Sequence, residues 1–161
     1  MNVKIVEYLD EKPRLEHTWR GDLVSLLDAF NDDLIDAKVH TKNHVIHSRL
    51  SEVQHVLEDL SQEFLNTEKN KYKQMGYGFL VSWKNKIESY TKSHAESKDV
   101  LVLDNHVTYK SLVKAKRLAR ALSKTINLLV ETKKFRNFIV GDWFALISDY
   151  FNLLLRYEKL N

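Results

Sequence analysis

The chain has 161 residues, a mass of 19.0 kDa and 43% hydrophobic residues, enough for one domain to bury a core without staples, which excludes a disordered tail. Four Gly and one Pro are too few for a sandwich or barrel of many short strands, and zero Cys excludes a disulfide framework, a thiol nucleophile and cysteine-ligated metal sites. The net charge of +3 hides a segregation, with 7 basic and 13 acidic residues in positions 1–66 against 18 and 9 in positions 67–161, so the acidic N-terminal and basic C-terminal halves carry about −6 and +9, a pattern that points to a charged partner.

Residues 2–8 alternate weakly, with Val3 and Ile5 against Lys4 and Glu7, and Pro13 ends that segment. The charges leave no uninterrupted apolar stretch for a secretory signal. From Asp22 the residues Leu23, Leu27, Phe30, Leu34 and Ala37 step by alternating fours and threes, which predicts a helix whose aspartates, Asp28, Asp32, Asp33 and Asp36, face largely elsewhere. A second stepping set runs Ile46, Leu50, Val53, Leu57, Leu60 and Phe64. The two sets are out of phase, so one straight helix cannot serve both, and a turn is expected near 41–44, where Asn43 suits it.

Residues 67–78 read as a break containing Gly76 and Gly78. Leu80, Trp83, Ile87 and Tyr90 predict a third helix, followed by a polar loop at 91–99. Thr108 is a candidate N-cap for a fourth helix, on which Leu112, Ala115, Ala119, Leu122, Ile126 and Leu129 share one face. Gly141 and Asp142 precede a last helix, 143–157, which is apolar nearly all round. Such a helix is either the centre of the bundle or a contact to another chain, and in the second case Trp143, Tyr150, Leu154 and Tyr157 are the interface candidates for a homo-oligomer or larger assembly. The longest uninterrupted apolar run, 143–147, is too short to span a bilayer. The expected architecture is therefore an all-α, single-domain bundle of about five helices over 1–161, cytoplasmic and without a membrane segment.

The strongest chemical signal is the outer face of the fourth helix. Lys110, Lys114, Lys116, Arg117, Arg120 and Lys124 fill an arc of about 160° opposite the apolar stripe. Over ~21 Å of helix that face meets several phosphates of a duplex, whose axial charge spacing is ~1.7 Å. Lys133, Lys134 and Arg136 prolong it. The plainer explanation is a solvated face neutralised by the acidic helices. Lys71, Tyr72 and Lys73 add basic groups interleaved with an aromatic, a mixture that suits single-stranded nucleic acid.

Three further motifs are weighed against this. Asp36, His40, His44 and His47 recur at four- and three-residue steps and would make a metal stripe on an unbroken helix. The expected turn breaks that stripe, and no cofactor is implied. Gly76-Tyr77-Gly78-Phe79-Leu80 resembles the glycine–aromatic strand motif of RNA-recognition-motif domains. That resemblance implies a four-stranded RNA-binding sheet and departs at Met75 and Ser82, where the family has a basic and an aromatic residue. Arg49 with His55 resembles the Arg and His signature of HEPN-type ribonucleases, themselves helical bundles, and implies a catalytic pair in a dimeric cleft. It departs at Leu50, where that family often has a polar residue, and in lying early in the chain. The expectation is a non-enzymatic protein that contacts nucleic acid, with a protein-interaction module working through helix 143–157 as the alternative.

Overall fold

A computed structural model describes residues 18–65, 74–96 and 106–159. They form five helices: α1 Trp19–His40, α2 His44–Leu65, α3 Tyr77–Glu96, α4 His106–Glu131 and α5 Phe138–Lys159. There is no strand among the described residues. Gly76 to Leu80 therefore open a helix rather than line a sheet, which removes the structural basis of the likeness to RNA-recognition-motif domains. Residues 2–8 and Lys71, Tyr72 and Lys73 lie outside the described residues.

Helix directions follow from the contacts. Trp19 meets Phe135 edge-on with ring centroids 6.2 Å apart, whereas at the other end of α1 the Ala37 carbonyl accepts from Thr108, so α1 and α4 run antiparallel. Arg20 at the start of α1 donates to the Phe64 carbonyl at the end of α2, 2.7 Å, and the α1–α2 pair is antiparallel too. Trp83 with Trp143 and Tyr90 with Tyr150 set α3 parallel to α5.

The turn between α1 and α2 falls where the phase mismatch requires it. Thr18 caps α1 by accepting from the Gly21 N–H, 3.1 Å. Asn43 caps α2, its Oδ1 accepting from the N–H groups of Val45 and Ile46 at 2.9 and 3.3 Å. Every residue of the first two stepping sets is buried.

α5 is the central helix. Val140, Trp143, Phe144, Ile147, Tyr150, Phe151, Leu154 and Leu155 are all buried, and Phe30 of α1 packs between Phe144 and Phe151 with centroids 5.9 and 6.1 Å away. An 18-residue window of α5, Phe138–Leu155, with mean hydropathy 1.4, is long and apolar enough to cross a membrane, a property that counting uninterrupted apolar runs passes over. Here 56% of that window is buried inside the protein, and the packing against α1, α3 and α4 accounts for its composition.

Three boundaries differ from expectation. α3 continues through the polar stretch to Glu96, because helix propagation adds one backbone hydrogen bond per residue whether or not the side chain is apolar. Thr108 lies inside α4, buried, and its hydroxyl donates to Ala37 O at 3.4 Å instead of capping. α5 begins at Phe138, with Gly141 inside the helix and its carbonyl accepting from the Ser123 hydroxyl at 2.8 Å. A Cβ at Gly141 would touch the Asn127 side chain and Ile126, so the glycine permits the close α4–α5 approach.

Asn137 joins three elements. Its Oδ1 accepts from Ile139 N–H, 3.2 Å, capping α5, while its amide donates to Glu63 Oε1 at 2.7 Å and to the Met75 carbonyl at 2.9 Å. Replacing it with Ala removes the cap and leaves a buried carboxylate without its donor. Asn137→Ala is expected to cost about 2 to 4 kcal/mol, read by chemical denaturation.

Candidate nucleic-acid interface

The orientation of α4 is fixed by its inward face. Leu112, Ala115, Ala119, Leu122 and Ile126 are fully buried, and the small alanines allow the neighbouring helices to approach closely. Hydrogen bonds add register: Thr108 to α1, and to α5 both Ser123 on Gly141 O and the Ser148 hydroxyl on Lys116 O, 3.2 Å. With that side locked between α1 and α5, the opposite side faces water.

Lys110, Lys114, Arg117, Arg120 and Lys124 are exposed, and Lys116 is half-buried. Among the described residues none of these six comes within ion-pair distance of a carboxylate; the ion pairs there gather instead on Glu52, with Arg49 at 3.6 Å and Lys86 at 3.3 Å. Asp33 of α1 feels one of these charges. Burial raises its carboxyl above the usual range, while the Lys114 charge pulls it down and Asp36 and Asp32 push it up again. Asp33 of the acidic helix thus lies within electrostatic reach of Lys114.

Past the end of α4, Lys133, Lys134 and Arg136 are exposed. The helix closes with Lys134 N–H on Leu129 O, 2.9 Å, and Lys133 N–H on Val130 O, 3.1 Å. This is the paired closure that places the residue after the cap in the left-handed region. Lys133 sits there with φ 61°, where a Cβ is strained and glycine is preferred. Lys133→Gly is expected to stabilise the fold by about 1 kcal/mol, raising Tm by roughly 2 to 4 °C in a thermal melt, while removing only one cation.

The other candidates do not assemble. His40 ends α1 with its Nδ1 donating to Asp36 O, 2.8 Å, and His44 and His47 belong to α2, beyond the turn. No group of three potential metal ligands occurs among the described residues. Arg49 and His55 project about 120° apart around α2: the Arg49 guanidinium lies 3.4 Å from the centre of the Tyr90 ring on α3, whereas His55 lines a groove against α1 beside Asn31 and Gln54. Neither a metal stripe nor the ribonuclease pair is formed within this chain.

Trp143, Tyr150 and Leu154 are 0, 2 and 1% exposed. Their apolar surface is spent on the core, which leaves them none for a second chain while the bundle is folded. The Tyr157 side chain lies outside what is described.

Sequence reasoning missed the polar brace between α2 and α3. Tyr90 donates to both oxygens of Glu52 at 3.1 and 3.0 Å, and burial with that bond raises the phenol. The three-residue spacing of Arg49 and Glu52 was its visible trace. A scan against protein-family models and a search of curated proteins match nothing to this chain.

Proposed function

We propose that this chain is a non-enzymatic nucleic-acid-contacting subunit or accessory factor that holds phosphates on α4. One observation carries the reading. Five exposed cations, with Lys116 at the margin, line a rigidly seated helix and lack carboxylates within ion-pair reach among the described residues. Exposed acidic residues gather on α1 and α2 (Asp22, Asp32, Asp36, Glu58 and Asp59), with Glu88, Glu131, Asp142 and Asp149 exposed on α3, α4 and α5, whereas positions 110–124 of α4 carry no acidic residue and present their cations to a polyanion. Lys133, Lys134 and Arg136 extend the track.

The test is binding to a short DNA or RNA duplex across a salt series. Five contacts predict a slope of log affinity against log salt of about −4 to −5. A flat response, or no binding at low salt, ends the reading.

The alternative, a protein-interaction module, now rests on apolar surface outside the core. Ile35, Val39 and Val45 are exposed near the α1–α2 turn and Phe138 at the start of α5. A stable dimer by light scattering, dissociated by Val39→Asp with helicity intact, favours it.

A further inference from the structure

Between α2 and α3 lies a second feature, unrelated in chemistry to the basic face. The two helices are tied together at Glu52, eleven residues and so about 16 Å along α2 from Glu63. Near Glu63 they part around a cleft of about 410 Å³. Its walls are Val56 and Leu60 from α2 with Met75, just before α3, and Phe79 in the first turn of α3, and Asp59 stands at its rim. That volume is in the range of small-molecule sites.

Gln74 and Asp59, both exposed, also line it, and the buried polar group in this wall is Glu63, only 3% exposed. Asn137 holds its Oε1, whereas Oε2 has no hydrogen-bond partner. No Lys, Arg or His among the described residues pairs with this carboxyl; the nearby Arg20 guanidinium donates to the Phe64 carbonyl instead. Burial drives the acid above its usual range against the pull of Asn137 and Met75. A buried acceptor without a partner is expensive, and a donor that reaches Oε2 from the cleft, which Glu63 lines, relieves that cost. With Asp59 at the rim, anions are repelled. What fits is a cationic donor on an apolar body, its charge also able to use the Phe79 ring.

We propose that this cleft binds a small organic amine, an alkyl- or arylalkylammonium whose head bonds Glu63 Oε2 and whose body lies against Val56, Leu60, Met75 and Phe79. The proposal is independent of the α4 reading. The test uses the full chain and two probes of equal length, hexylamine and hexanol, followed by methyl NMR at Met75, Val56 and Leu60. Hexylamine is expected to bind about tenfold more tightly than hexanol, and Glu63→Gln to bring the two within about twofold. Equal affinities in the native protein, or an amine preference that survives Glu63→Gln, overturns it. Should Glu63→Gln fail to fold by circular dichroism, Val56→Phe decides. It fills the cleft with Glu63 in place, so loss of hexylamine binding supports the site and undiminished binding refutes it.

Discussion

Leu154→Asp is expected to abolish cooperative folding. Leu154 is 1% exposed on α5, and the substitution removes a packed aliphatic side chain, about 2 to 5 kcal/mol for comparable truncations, and strands a carboxylate without a partner, worth several kcal/mol more. The sum reaches the whole stability of an ordinary domain, about 5 to 15 kcal/mol. Tyr150→Asp is expected to act the same way. Asn152→Asp, at an exposed position of the same helix, is the matched control and should leave the melt unchanged. Circular dichroism with sedimentation separates the two views of α5. A Leu154→Asp chain that stays helical and soluble but changes from dimer to monomer would make this face a subunit contact, whereas loss of the helical signal makes it core.

The distinction was open in the sequence for a physical reason. A helix apolar all round must be covered, but the pattern does not say by what. The covering depends on helices far away in the chain, such as Phe30 of α1 seated between Phe144 and Phe151. Every residue in the alternating steps of fours and threes on α1, α2 and α4 is buried, because burial of a helix stripe is set by the helical period itself. The phase slip between Ala37 and Ile46 located the turn at Asn43.

Boundaries and buried polar groups were less legible, because tertiary partners decide them. Thr108 has the chemistry of a cap, yet the neighbouring Ala37 carbonyl recruits its hydroxyl. Gly141 looked like a helix stop, yet its missing side chain admits α4. Glu63 lies seven residues after Val56, on the flank of the buried stripe, which was its one visible mark. Nothing local to Glu63 announces Asn137, its partner 74 positions away.

Reversing Lys110, Lys114, Arg117, Arg120 and Lys124 to Glu is expected to remove duplex binding at least ~10³-fold at low salt, since five favourable phosphate contacts become repulsive. The fold should survive, because all five are exposed and their helix is held by the opposite face. Lys114→Glu carries the one added cost, a new carboxylate facing Asp33, whose acid already stands high, so that variant alone should lose stability as pH rises above the carboxylate range and recover it as both acids protonate. Single reversals along the face should each weaken binding and make the salt slope shallower by about 1. Lys84→Glu, at an exposed position of α3, carries the same charge change away from α4 and controls for net charge. If Lys84→Glu weakens binding as much as Arg117→Glu, the protein's overall charge attracts the polyanion and α4 holds nothing in particular. A graded loss confined to α4, with the melt preserved, would place the phosphates along that helix.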